Sequence, residues 1–310
     1  MESQYTKLEQ ILNKLKKKMT DNPEELIRKA QSKLTPGFFG KLFSNEQIRF
    51  EEACQLYESA GNLYKIQKNW DSAGKAYEKC AELDIKTNMD PSQHYKEASH
   101  CFSFTNKERS QQNLENCIKS LEKKGKYQQA GKITQEMAHD LEVDLDYEKA
   151  IEKYKLAADY YSMESKNTKS SQQACLLKQA DLMCISNHKD MLEKAPLIYE
   201  KIGMEYLTVP LLKSSAKDLF FKCVVLFLVK KDDVTADIYL KKFLGEDPTF
   251  EDTREVKFLQ EAIKCVGEPP DPDGFRKAVA DFKQYRDLDK WKLNMFAEIL
   301  KGIETDDNFL

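Results

Sequence analysis

Residues Glu51–Glu82 read EEACQLYESAGNLYKIQKNWDSAGKAYEKCAE. In the first half, Ala53, Leu56, Tyr57, Ala60, Leu63 and Tyr64 recur at three- and four-residue steps, the spacing that gathers side chains on one face of an α-helix. In the second half, Ala73, Ala76, Tyr77, Cys80 and Ala81 do the same, and the polar turn Gln67-Lys68-Asn69 lies between the halves. Small residues (Ala60, Gly61, Ala73, Gly74) stand where two helices must approach closely, with Tyr and Trp filling the space around them. The stretch predicts two amphipathic helices packed back to back. Such a hairpin cannot bury its apolar face alone and needs neighbours.

The neighbours are present. On the second helix of each successive unit a small–large–small ladder recurs: Ala73-Tyr77-Cys80, Ser110-Leu114-Cys117, Ala150-Tyr154-Ala157, Ala195-Tyr199-Ile202. Small residues mark the first helix of each unit at Ala60, Ala98, Ala138, Ala180 and Cys223. Tyr147 stands before Ala150 as Trp70 stands before Ala73. The interval is roughly 40 residues and lengthens along the chain, against about 34 for a standard tetratricopeptide repeat. Longer helices and a stack that twists as it grows are expected. The fold class read from this pattern is all-α: a tetratricopeptide-like helical-hairpin solenoid, a twisted sheet of antiparallel helices, capped by a C-terminal helical bundle.

Breaks divide the chain. Linkers are expected at Asn88–Pro91, at the polar stretch Ser162–Ser171 and at Thr208-Val209-Pro210, with sharper breaks at Gly245–Pro248 and Gly267–Gly274. Beyond Gly245 the ladder stops. Three helices are predicted there, Phe250–Val266, Phe275–Tyr285 and Leu288–Ile303, with apolar sets Val256/Leu259/Ile263, Phe275/Val279/Phe282 and Trp291/Met295/Ile299. The expected division is therefore 1–46, an N-terminal helical region with an apolar loop; 47–245, the solenoid; and 246–310, the bundle with an acidic tail.

The N-terminal region has its own features. Leu8, Ile11, Leu12 and Leu15 carry a helical pattern, as do Leu26, Ile27 and Ala30 after the starter Asp21-Asn22-Pro23. Lys14 and Lys16-Lys17-Lys18 form a basic cluster, read as a solvated face or a contribution to a membrane surface. Thr35–Ser44 (TPGFFGKLFS) is broken by Pro and Gly yet holds Phe38, Phe39, Leu42 and Phe43. Loops lie on surfaces, so these side chains either fold back as a core plug or form an exposed apolar finger. Gly40-Lys41 is no phosphate loop, because the spacing between glycines is too short and Leu42 follows the lysine.

Composition excludes several function classes. A third of the 310 residues are charged (33%), yet the net charge is only −3, which argues against a nucleic-acid binder. High charge at moderate apolar content suits a solenoid, which has more surface than a sphere. The opening MESQYTKLEQILNKLKKK has no apolar core, so no signal peptide is expected. The longest apolar run, Leu219–Val229, is interrupted by Lys222 and falls well short of the roughly 20 residues of a membrane span. The eight cysteines form no C-x-x-C; Cys54, Cys80, Cys101, Cys117 and Cys223 lie on apolar faces and read as free thiols used as small core residues. The four histidines are scattered, with no H-E-x-x-H, G-x-S-x-G or Gly-rich nucleotide loop. No enzyme, metal or cofactor, no nucleic acid and no small-molecule substrate is expected. A cytoplasmic interaction module is.

Several segments then carry a resemblance: Gly37–Phe43 (GFFGKLF), Glu51–Tyr57 (EEACQLY), Ala60–Lys65 (AGNLYK), Lys68–Tyr77 (KNWDSAGKAY), Ala157–Tyr161 (AADYY), Cys175–Lys178 (CLLK), Pro210–Lys222 (PLLKSSAKDLFFK), Asp287–Trp291 (DLDKW) and the acidic end. In order and over nearly the whole chain, they resemble the soluble NSF attachment proteins of the alpha type. About fifteen N-terminal residues look like an extension.

The resemblance implies an adaptor for SNARE disassembly in vesicle fusion and membrane trafficking, without a catalytic site. Several copies wrap a SNARE four-helix bundle (syntaxin-like and other SNAREs) and recruit and stimulate the AAA ATPase NSF. By position, the SNARE-binding residues fall on Lys126, Lys132, Lys178, Leu212, Lys213, Lys217 and Arg254. One family lysine position is Ala174 here, with Lys166 and Lys169 nearby. Membrane contact falls on Phe38, Phe39, Leu42 and Phe43, giving peripheral membrane association. ATPase binding falls on Asp232, Asp233, Glu268, Glu304, Asp306 and Asp307, with Leu310 for stimulation. The alternative is a generic tetratricopeptide-type scaffold that binds a peptide in its groove; such a scaffold needs neither the apolar loop nor the acidic, Leu-ended tail.

Overall fold

The polar residues between the apolar runs start helices. Asn22, Asn45, Asn69, Asn106, Asp146, Asp232, Thr253 and Asp271 each accept a hydrogen bond from a free N–H in the first turn that follows. Each such cap contributes about 1 kcal/mol. In a computed structural model of the chain, the described residues are 22–35, 45–164, 167–284 and 287–307, with side chains to 304. Among them there are fourteen α-helices and no strand. The helices are α1 (Pro23–Leu34), α2 (Glu46–Ile66), α3 (Trp70–Lys86), α4 (Ser92–Phe102), α5 (Lys107–Lys123), α6 (Tyr127–Val143) and α7 (Tyr147–Met163). They continue as α8 (Lys169–Ile185), α9 (Met191–Leu207), α10 (Lys213–Val229), α11 (Asp233–Glu246), α12 (Arg254–Val266), α13 (Pro272–Lys283) and α14 (Lys290–Asp307). Short 3-10 turns stand at Pro210–Leu212 and Pro248–Phe250.

One turn recurs. The N–H groups of Asn69, Lys126, Asp146 and Asp232 donate to the carbonyls of Tyr64, Leu121, Leu141 and Phe227, five residues back. The residue before each of the four has a positive φ: Lys68 (59°), Gly125 (67°), Leu145 (63°) and Lys231 (59°). This closes the old helix and hands the chain directly to the cap of the next. Of these four only Gly125 announces the left-handed position by residue type, as Asn88 and Asn187 do where the same turn closes on Asp84 and Met183; Lys68, Leu145 and Lys231 adopt it because both flanking helices fix the turn.

The chain divides into two compact units, Met1–Ile133 and Thr134–Leu310. In the first, α1 to α5 pack each on the next. One cluster joins Ala30, Ala53, Tyr57, Cys80 and Leu83; another joins Tyr64, Ala73, Tyr77, Ala98, Cys101 and Phe102. In the second unit α7 to α14 pack in sequence, and α14 also returns to lie against α8 and α10. A single core results, in which Phe221, Phe258, Phe275, Phe282 and Phe296 form an aromatic cluster. The all-α fold of the helical-hairpin solenoid type is thus as expected. The ladder residues Ala73, Tyr77, Cys80, Ala150, Tyr154, Ala157, Ala195, Tyr199 and Ile202 are buried, and Trp70 and Tyr147 each open a helix.

Several boundaries move. Helix α11 runs through Gly245 to Glu246, so the break comes at Asp247-Pro248. The first helix of the bundle begins at Arg254, not Phe250, because Phe250 belongs to the 3-10 turn and Thr253 is the cap. Helix α13 starts at Pro272, where proline's fixed φ and missing N–H suit the first turn. The polar stretch from Ser162 is shorter as a linker than expected, since α7 reaches Met163 and α8 starts at Lys169.

Candidate functional site

The basic candidates occupy different electrostatic settings. In the first unit, Lys126 immediately precedes α6 and donates to Asp90 Oδ2 at 2.7 Å. Burial alone would raise the Asp90 carboxyl, but Lys126 and the Ser92 hydrogen bonds outweigh it and hold the pKa at about 2. Lys132 is exposed on α6 and makes no ion pair among the described residues. Its charge is fully available to a partner.

In the second unit, Lys178 reaches from α8 to Glu142 Oε1 at 2.8 Å, and Glu142 also accepts from the Tyr154 hydroxyl at 2.7 Å. Lys213 is exposed at the first turn of α10. Lys217, one turn on, is half-buried: Nζ donates to the Thr249 carbonyl at 2.7 Å and faces Asp247 Oδ2 across 3.8 Å. That oxygen makes no hydrogen bond of its own, so Lys217 is its counter-charge and ties α10 to the turn before α12. Arg254 is exposed at the start of α12, beside an open groove of about 590 Å³ that Lys257, Phe258, Ala278 and Phe282 also line. Leu212 is half-buried, whereas its neighbour Leu211 is 93% exposed at the tip of the 3-10 turn.

The acidic candidates separate as well. Asp232 is the cap of α11 and accepts from the Thr235 N–H at 2.9 Å. Asp233 and Glu268 line one concavity of about 770 Å³ with Lys231, Val266, Pro269, Pro270 and Ile303. Glu304 pairs with Arg276, which also donates to Asp273 at 2.6 Å. Asp306 and Asp307 lie on the last turn of α14, but their side chains fall outside the described residues. So do Phe38, Phe39, Leu42, Phe43 and Leu310. No described helix is long and apolar enough to cross a membrane.

The sequence profile described as "Soluble NSF attachment protein, SNAP" matches residues 21–304. The chain belongs to the soluble NSF attachment protein family. It is similar to the vesicular-fusion protein SEC17 of Komagataella phaffii, at 32% identity over 290 residues, covering 92% of this chain and 96% of that protein. Its likeness to the alpha-soluble NSF attachment protein of Mus musculus has the same identity and coverage. The beta-soluble NSF attachment protein of Bos taurus is 32% identical over 281 residues, 90% of each chain. Soluble NSF attachment proteins are adaptors, not enzymes.

In this soluble NSF attachment protein, two features escape sequence reading. Leu211 and Leu212 are indistinguishable by type; the 3-10 turn decides which one faces solvent. The second is a polar cluster in the core of the second unit, where Tyr199 donates to Asp181 Oδ1 at 2.6 Å and Lys222 donates to the same oxygen at 2.8 Å. Lys222 interrupts the most apolar run of the chain, and that interruption was the signal.

Proposed function

We propose that this protein is an adaptor that binds assembled SNARE four-helix bundles and recruits and stimulates an NSF-type AAA ATPase, in vesicle fusion and membrane trafficking. The observation that carries the reading is the family match, which runs from before α1 to Glu304 in α14 and so spans the described fold. A bundle with an acidic surface is met by Lys126, Lys132, Lys178, Lys213, Lys217 and Arg254, with an apolar contact at the Leu211-Leu212 tip. Lys132 and Lys213 supply unspent charge; Lys126, Lys178 and Lys217 hold internal partners as well. Binding through such a set weakens as salt rises.

Asp233 and Glu268, gathered at one concavity, support an acidic docking point for basic grooves of the ATPase. Asp232, Glu304, Asp306 and Asp307 extend it, and Leu310 acts in stimulation. The loop of Phe38, Phe39, Leu42 and Phe43 is proposed as a peripheral membrane contact of a cytoplasmic protein. Each large side chain buried there is worth roughly 1.5–3 kcal/mol, a weak anchor that adds to SNARE tethering through effective concentration. Functionally the chain divides at 46 and 245 into membrane-facing, SNARE-facing and ATPase-facing parts.

The deciding experiment is SNARE disassembly by the ATPase with this protein present or omitted. Disassembly that depends on the protein is expected. Independence from it, or failure to co-precipitate assembled SNARE bundles, refutes the reading.

A further inference from the structure

Three ligand-bearing side chains meet beside the first hairpin. Cys54 sits on α2, Cys80 on α3 and His94 on α4, and the two sulfurs and a ring nitrogen of His94 lie within 4.8 Å of one another. Among the described residues no other group of three or more His, Cys, Asp or Glu side chains converges so closely. Asp84, one turn beyond Cys80 on α3, adjoins the group: Oδ2 is 2.5 Å from His94 Nδ1 and Oδ1 is 3.8 Å from Cys54 Sγ. Cys80 is fully buried and Asp84 is only 8% exposed.

We propose that Cys54, Cys80 and His94 form a binding site for a thiophilic d10 cation, Zn²⁺ in the first place, with Asp84 orienting the imidazole. Two thiolates and a neutral imidazole are a ligand set that selects zinc over magnesium or calcium. Zinc holds sulfur at about 2.3 Å and imidazole nitrogen at about 2.0–2.1 Å in a tetrahedron. The donors of such a site stand roughly 3.5–4 Å apart, so the group closes on the ion by shifts of about an ångström. On binding, each thiol loses a proton to solvent, and two thiolates neutralise the dication. The imidazole keeps one N–H, donated to Asp84, and offers its other nitrogen to the ion, the arrangement that fixes the tautomer of metal-bound histidines.

Packing alone explains two small thiols in a core. It does not explain why both sulfurs converge with a nitrogen of an imidazole that Asp84 already holds in place. A bound ion accounts for that convergence and pins three successive helices, α2, α3 and α4.

The test uses the full-length, reduced protein and Co²⁺ as the probe. A single equivalent should bind with thiolate-to-metal charge-transfer and tetrahedral ligand-field bands, and Zn²⁺ should displace it and raise the Tm. Cys54→Ser and His94→Gln, both at partly exposed positions, should lose the bands while keeping their helical circular dichroism. Cys265→Ser, in the other unit, should keep them. Asp84→Asn should retain the bands with roughly 10–100-fold weaker affinity, as expected of a positioning residue. Wild-type protein without these bands, bands undiminished in both ligand variants, or a Tm indifferent to Zn²⁺ would each overturn the proposal, whether or not the variants fold.

Discussion

The indole Nε1 of Trp291 donates to the hydroxyl of Tyr199 over 3.1 Å inside the core. Tyr199 passes its own proton toward Asp181, and the Lys222 ammonium sits 5.5 Å from both ring centroids while bonding the same carboxylate. Burial first, and Asp181 second, drive the Tyr199 hydroxyl pKa far above its usual value, so it stays a neutral donor. The bond links α14 to α9, and Asn294 Nδ2 adds a second tie at 2.6 Å to the Cys184 carbonyl on α8.

Tyr199→Phe should therefore destabilise the second unit by about 1–3 kcal/mol, the cost of leaving a buried donor without its acceptor. Trp291 fluorescence during denaturant unfolding reads this directly. An unchanged midpoint would show that the bond contributes nothing net.

The lysines should divide by their internal partners. Lys132→Glu should weaken association with assembled SNARE bundles, most at low salt, and leave the folding stability within about 0.5 kcal/mol of wild type, as for an exposed site. Lys217→Glu should unfold more readily, because it sets a second negative charge against Asp247. Thermal melts beside co-precipitation separate the two. Equal loss of stability in both variants would contradict the assignment.

Leu211→Ser should keep the fold and lower SNARE binding, whereas Leu212→Ser should cost stability first, because only Leu211 is exposed at the tip. The reverse pattern in melts and pull-downs would put Leu212 at the contact.

Asp90 gives an acid-sensitive contribution. Its folded pKa of about 2 lies below the ordinary 3.8. The stabilisation is therefore fully present above the ordinary value and is lost as the pH falls through the folded one. Between pH 4 and pH 2 the first unit's Tm should drop more steeply in wild type than in Asp90→Asn. The half-exposed Lys126 limits the difference to about 1 kcal/mol. Parallel slopes would dismiss the pair as a stabilising element.

Glycines predict effects of opposite sign. A Cβ on Gly74 would stand 2.7 Å from the Phe102 ring, and one on Gly203 would stand 2.6 Å from Phe220. Gly74→Ala and Gly203→Ala should each cost about 1–3 kcal/mol through overpacking. Gly245, in the last turn of α11, has open space around its Cβ position. Gly245→Ala should stabilise by up to about 1 kcal/mol through helix propensity. A melt of the three variants decides whether packing or propensity governs.

The sequence by itself determined the helices and their buried faces, because these depend on neighbours within a turn or two. Ala53, Ala73, Tyr77 and Tyr154 are buried as their periodicity requires, and Asn69 and Asp146 cap as their type predicts. Family membership too was legible, since it rests on residue order. The tertiary structure alone decided what lies far apart in the chain: that Lys178 spends its charge on Glu142 and Lys132 does not, and that α14 returns to α8 and α10. It also decided that Cys54, Cys80 and His94 converge beside Asp84. Periodicity says which face of a helix is buried. The angle and offset between stacked helices decide which distant side chains meet, and those are set by the packing of whole layers such as Gly74 on Phe102.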